Sequence, residues 1–425
     1  MYKLLKDLFP ICRSITGGGN RQTLKMLNQE IPIKIEEFQS GTQCYDWTIP
    51  DEWNIKEAYI ENETGTRIVD FQDNNLHVVN YSEPVNGTFS LDELKSHIYS
   101  IPEKPDLIPY ATSYYKRDWG FCMSHDQLEK LKPGNYNILI DSTIRPGSLT
   151  IGEAFLNGKS KKEVLISSYI CHPSMANDSL SGVVLAVQIF KHLFMLKNRR
   201  YSYRFVFLPE TIGAIVYLFH HGKYLKKYVH AGLVLTCLGD PNSFNYKCTR
   251  QGNHELDEIV KHVFKHSGHE CAFHDFFPYG SDERQYSSPG FNLPIGSLMR
   301  SIYGRFREYH TSGDNLDFVT EDALNESFEI YSKVFNALES NKRYMRDQPY
   351  CEPMLAKYNL HETVGYIDSN ENKDAITRSM ILKWLLNYSD GEHSLLDIAN
   401  KIDISIDQLS VVAGQLEEKG IIYSV

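Results

Sequence analysis

A chain of 425 residues, 42% hydrophobic and 23% charged, has the composition of a globular protein too long for one ordinary core, so two or three structural units are expected. The formal net charge of -10 argues against a polyanion as the main ligand, because phosphate contacts need clustered Lys and Arg. The eight cysteines show no CxxC spacing, Asp7 and Pro10 interrupt the N-terminal stretch, and no later run suggests a membrane span; a reduced, cytoplasmic setting is therefore expected.

In chain order, residues 1–30 suggest a helix, a turn at Gly17 to Gly19 and a second amphipathic helix. From about Asp46 to Asp141 short β-type runs such as "EAYIE" and "LHVVNYS" alternate with Asn, Gly and Pro clusters, which marks a small β-rich unit. It contains "IPYATSYYKRDWGFC", whose aromatic residues are expected to pack against the larger unit rather than bind a ligand. Next, "SLTIGEAFLNGKSKKEVLISSYICH" predicts two strands around a turn at Gly158. A β/α alternation follows: helix 178–197, strand "YRFVFL", helix 211–227, strand "AGLVLTCL", helix 254–267, strand "LPIGSLM" and helix 321–342. Such alternation implies an α/β fold, a mostly parallel mixed sheet with helices on both faces, whose ligands gather at the carboxyl ends of the strands.

Beyond Arg346 a polar segment leads to a helix, short helix, turn, helix and short apolar strand, the pattern of a C-terminal winged helix. From 374 to 425 eight acids face four bases, the reverse of what a DNA reader needs, so this unit is expected to contact protein and no nucleic acid, with self-association into a homo-oligomer as one outcome. The expected domains are thus 1–45 with 142–345, an inserted β-rich domain at 46–141, and a winged helix at 346–425.

The strand ends carry the chemistry. His172 is the first polar residue past "VLISSYIC", and Asp178 stands at the start of the next helix. Taken alone they fit a loop histidine and an N-cap. "YRFVFLPETIGA" then drives an apolar strand into Glu210, where a carboxylate can serve as general base or merely cap a helix. His310 lies in a turn-rich loop before the last long helix. Two imidazoles and one carboxylate from three strand ends match an open catalytic zinc site. Cys171 is expected to be a buried small hydrophobe, and His262 and His266 to be solvated on the polar face of their helix.

The order "CHPSMANDSLSG", "PETIGA", "GSDERQYSSPGFNLPIGSLMR" and "EYHTSGDN" resembles the zinc aminopeptidase superfamily, and more closely an uncharacterised bacterial aminopeptidase-like family with a nested β domain and a C-terminal winged helix. The resemblance covers nearly the whole chain. It implies a zinc-peptidase-like α/β/α sandwich, His172, Asp178 and His310 as metal ligands, Glu210 as general base, and Asp282 of "GSDERQ" as a residue lining the substrate site. Three positions depart from the superfamily: Thr211 where a second glutamate follows the base, Thr236 where an aspartate ends the following strand, and Ser174 where an aspartate orients the first histidine. One zinc ion is therefore expected and a second is doubtful. The implied function is zinc-dependent hydrolysis of a small amide or short peptide, in a context of surface-polysaccharide biosynthesis. The alternatives are a binding-only aminopeptidase scaffold acting in assembly, and acyl transfer or cyclisation as in glutaminyl cyclases.

Overall fold

The structure, a computed structural model, describes residues 1–360 and 378–425. The first part of the expected winged-helix segment, residues 374–377, lies outside the described residues. The chain divides into two compact units, Met1–His254 with Glu270–Glu329, and Glu255–His269 with Ile330–Val425.

The first unit is built on an eight-stranded mixed sheet. Its spatial order is Lys34–Gln39, Ser148–Leu156, Ser202–Leu208, Glu163–Tyr169, Val229–Val234, Ile295–Met299, Phe244–Lys247 and Cys271–His274. The four strands from Ser202–Leu208 to Ile295–Met299 run parallel, as the helical crossovers require. Every residue of Glu163–Tyr169 is buried, which its mostly apolar and small residues allow and which Glu163 tolerates through its pair with Arg204 at 2.7 Å. The first edge strand, Lys34–Gln39, is polar and half exposed, a composition that discourages pairing with another chain.

Ser148–Leu156 and Glu163–Tyr169 do not pair as a hairpin. Ser202–Leu208 lies between them, antiparallel to the first and parallel to the second. The turn at Gly158 is an under-passage: a Cβ there would stand 2.1 Å from the Tyr201 carbonyl oxygen, so only glycine fits.

Glycine also sets the approach of the helix Gly182–Met195 to the sheet, since a Cβ on Gly182 would lie 2.1 Å from the Leu235 carbonyl oxygen. The segment Ala176–Met195 is long and apolar enough to cross a membrane, contrary to the sequence reading, but 72% of it is buried inside the protein and it serves as a core helix.

Within the same unit a four-stranded antiparallel sheet forms from Arg67–Asp70, Glu52–Asn62, Asn135–Arg145 and Val85–Ser90. Burial alternates along Asn135–Arg145, as expected where one face is covered. Ala58, Ile60, Phe121, Ile138 and Ile140 form its core.

The second unit contains the helices Arg378–Tyr388, Leu395–Ile402 and Ile406–Glu418 and a three-stranded sheet ordered Asp390–Ser394, Arg343–Arg346, Ile422–Ser424. Its middle strand begins before residue 346. The helix Glu255–Ser267 belongs here too. His262 is therefore not solvated: it is buried, with Nδ1 2.6 Å from the Asn400 side-chain oxygen and Nε2 accepting from the Ile406 N–H at 2.9 Å. Helical periodicity alone placed it with the glutamates, but tertiary packing covers that flank.

Candidate metal centre

Four strand-end segments meet above the parallel strands. His172 follows Glu163–Tyr169, Glu210 follows Ser202–Leu208, and Thr236 follows Val229–Val234. His310 arrives on the long loop after Ile295–Met299. The donor atoms of His172, Asp178 and His310 lie within 4.8 Å of one another. His310 Nε2 is 3.1 Å from Asp178 Oδ2, and Glu210 Oε2 is 3.9 Å from His172 Nε2. The structure thus brings together the four residues singled out at the strand ends.

Each is held from behind. The Arg13 Nε–H donates to the His172 carbonyl at 2.9 Å. His172 Nδ1 stands 3.3 Å from Cys171 Sγ, and that same sulfur accepts from the Glu210 N–H at 3.2 Å. Cys171 is buried, as expected, but it also joins the two chain segments. Ser174 does not orient His172: its hydroxyl donates to the Phe9 carbonyl and accepts from the Asn75 amide.

Asp314, which the sequence reading passed over within "HTSGDN", is fully buried and accepts from the backbone N–H groups of Asn177 and Asp178 at 2.5 and 2.8 Å. It fixes the Asp178 turn from the His310 loop. Burial and the neighbouring Asp178 charge push its carboxyl up to about 8.

The electrostatics suit a cation. Burial brings the His172 imidazole down to about 4, against the opposing pull of Asp178, so it is neutral and able to ligate at neutral pH. Burial alone would raise Asp178, but His172, His310 and the Tyr169 hydroxyl hold it well below the usual carboxylate range. Burial, then Asp282 and Asp178, raises Glu210 well above that range, which makes it the stronger base.

Asp178 divides its two oxygens. Oδ2 faces His310, while Oδ1 accepts from the Tyr169 hydroxyl and from Thr236 Oγ1, the latter at 3.2 Å. Tyr169 and Thr236 are themselves 2.7 Å apart. The oxygen that would turn toward a second ion is thus already occupied by hydroxyl groups.

A cavity of about 400 Å³ opens onto His172, His310 and Glu210 and is walled by Trp47, Tyr110, Tyr114 and Tyr115. The aromatic stretch expected only to pack also lines this cavity. Tyr110 packs against both histidines, 5.2 and 5.3 Å from their ring centres, with its hydroxyl 2.5 Å from that of Tyr114. Its sequence carried no signal beyond aromatic density.

Asp282 requires a correction. It does not line the cavity but is fully buried behind it, where Oδ1 accepts from the Thr211 N–H at 2.7 Å. Thr211 has φ 63° and ψ −76°, a conformation that costs a β-branched residue about 1–3 kcal/mol. Asp282 thus holds the turn that presents Glu210.

The donor set passes a test of fit. Two imidazoles and one carboxylate are the nitrogen and oxygen ligands that zinc takes, and three protein ligands leave one position open.

The mixed sheet, its crossover helices and this strand-end site define a peptidase-like α/β fold. Its structural neighbours are zinc aminopeptidases: one from Bacillus subtilis matches with TM-score 0.56 at 13% identity, over 78% of this chain and 93% of that one. A peptidase M28 precursor from Shewanella amazonensis matches with TM-score 0.54 at 13% identity, over 79% and 91%.

The chain belongs to the family described as Domain of unknown function (DUF4910), matched over residues 2–341, followed by a winged helix-turn-helix over 342–424. A relative from Clostridium acetobutylicum, 47% identical over 98% of this chain and 94% of its own length, is named, provisionally, as a polysaccharide biosynthesis protein with an aminopeptidase-like domain. A crystal structure from the same organism, provisionally named a peptidase, superposes with TM-score 0.93 at 46% identity, covering 100% of this chain and 96% of that one.

Proposed function

We propose that this protein is a one-zinc amide hydrolase in which His172, Asp178 and His310 hold the ion and Glu210 is the general base. The observation that carries the reading is that the donor atoms of His172, Asp178 and His310 lie within 4.8 Å of one another while His172, His310 and Glu210 face one cavity. Zinc bound there supplies Lewis acidity, polarising a carbonyl and easing deprotonation of water. Glu210, whose Oε2 lies 3.9 Å from His172 Nε2, takes the proton from the attacking water and delivers it to the leaving amine. Burial holds Tyr110 and Tyr114 protonated and their mutual bond uses one O–H of the pair, so the other is a donor able to face the charge that develops on the carbonyl oxygen. A single ion is supported by the hydroxyl partners of Asp178 Oδ1 and by Thr211 and Thr236 in place of carboxylates.

The substrate is a small amide or short peptide, and the relative's name supports a place in polysaccharide biosynthesis. Eight free cysteines fit a cytoplasmic setting. The acidic winged helix serves protein contact and self-association rather than nucleic-acid binding.

The missing carboxylates favour a second reading, a scaffold that binds without turnover. Hydrolysis of an amide panel by the zinc-loaded protein and by Glu210→Gln separates the two: turnover lost in the variant supports the hydrolase, and equal rates reject Glu210 as the base.

A further inference from the structure

An aminopeptidase must neutralise its substrate's ammonium group, which requires a carboxylate facing the cavity. The only carboxylate lining this cavity, among the described residues, is Glu210, and the hydrolase reading already commits it to proton transfer. Asp282 is sealed behind the wall with one oxygen on the Thr211 N–H, and Asp178 is 1% exposed and fully partnered.

The cavity instead presents a cation. Arg284 lines it, and among the described residues it makes no direct ion pair, although its charge acts on Glu210 and Asp282 nearby. Glu283, its chain neighbour, is paired with Lys247. The guanidinium is fixed by two neutral acceptors: Nη1 donates to the Gly280 carbonyl at 2.9 Å, and Nη2 donates to Thr211 Oγ1 at 2.8 Å. Of its five N–H donors three remain uncommitted, in the planar fork that matches a carboxylate. Thr211 directly follows Glu210, so the fork is anchored one residue from the base. The cavity is also lined by aromatic rings, with Trp47 and Tyr115 in edge contact at 5.4 Å and both exposed.

We propose that Arg284, positioned by Thr211, is a carboxylate-binding subsite, and that the substrate is an amide bearing a carboxylate near the scissile bond, not one bearing a free α-amine. This rests on the hydrolase reading for which bond is cleaved, but the subsite itself is read by binding alone. Such an amide is an N-acyl amino acid or an N-acyl sugar acid, and matched probes distinguish them.

Calorimetry on zinc-loaded Glu210→Gln tests the subsite without turnover. The amino-acid probes are N-acetylphenylalanine, its neutral carboxamide and phenylalaninamide; the sugar probes are N-acetylmuramic acid and neutral N-acetylglucosamine. At least one carboxylate probe should bind about tenfold or more tightly than its neutral partner, as a charge-assisted bidentate contact allows. The series in which this occurs identifies the source. The preference should vanish in Glu210→Gln/Arg284→Gln and weaken in Glu210→Gln/Thr211→Val, which keeps the charge but removes its anchor. Bound zinc and a cooperative melting transition establish that each variant is folded. Equal affinity within both series, tighter binding of the amine, or a preference that survives loss of Arg284 in folded protein overturns the subsite. Failure of the hydrolase reading has a different signature: a carboxylate preference that depends on Arg284, without hydrolysis by the wild-type protein.

Discussion

His310 Nε2 lies 3.1 Å from Asp178 Oδ2, although five of the sheet's strands lie between the two residues in the chain, one of them, Cys271–His274, forming its far edge. The contact is more than one surface ion pair, because Asp178 is 1% exposed and the Asp314 carboxylate, four residues after His310, holds its backbone N–H. One loop therefore supplies both a donor and the brace for another donor.

Replacing a donor should empty the site. His310→Ala and His172→Ala are expected to weaken zinc binding by at least about a hundredfold, since loss of an outer partner alone costs 10–100-fold. Zinc content after dialysis against a buffered chelator reads this directly. Cys171→Ala, which removes only the sulfur beside His172 Nδ1, should fall between wild type and those variants.

The hydroxyl pair on Asp178 Oδ1 makes a second prediction. Thr236→Asp places a second carboxylate beside a buried one, so without metal the melting temperature should fall by several degrees. Combined with Thr211→Glu it should create a second ion site, and added zinc should then restore stability by binding the folded form. Metal content rising from one toward two equivalents is the expected result; content unchanged at one would count against the hydroxyls as the barrier.

How legible was this in the chain? His172, Glu210 and His310 stood out because parallel strands end at a common edge, so an apolar run followed by a polar residue fixes position as well as chemistry. Asp282 was misplaced because a resemblance in motif order places a residue near the site but does not give its depth. Tyr169 was hidden inside an apolar run. Gly158 pointed to a turn, yet nothing local showed that another strand would enter between the two it joins. His262 failed for a similar reason: a helix has two flanks, and periodicity cannot tell which one later packing will cover.

His262 makes the second unit sensitive to acid. Burial lowers its pKa, with His266 and Lys265 adding to that effect and Asn400 and Asp407 opposing it. Its Nε2 accepts the Ile406 N–H, which the protonated ring cannot do. The unfolded state binds the proton more readily, so this stabilisation is complete above about pH 6.5 and is lost as pH falls through that value toward the depressed native pKa. Amide protection factors in Ile406–Glu418, which allow for the slower intrinsic exchange in acid, should fall between about pH 7.5 and 5.5 in the full chain, and His262→Gln should flatten that dependence.

Lys247 and Glu283 link stability to the site. They form an ion pair with side chains 1% and 0% exposed, and Lys247 also donates to the Tyr279 carbonyl at 2.7 Å and stands 4.1 Å from the ring centre of Phe277. Removing one partner strands a buried charge, so Lys247→Met should cost about 3–5 kcal/mol. Lys247→Met/Glu283→Gln should recover much of that loss, because the neutral pair needs no charge compensation. Glu283 lies between Asp282, which holds the Thr211 turn, and Arg284, which bonds its hydroxyl. A shift of this segment therefore reaches Glu210 through the backbone. Lys247→Met that remains folded should lose hydrolysis while retaining zinc, whereas a donor substitution loses both. Chemical denaturation together with metal content separates the two classes, and full activity in a destabilised Lys247→Met would break the link between the pair and the base.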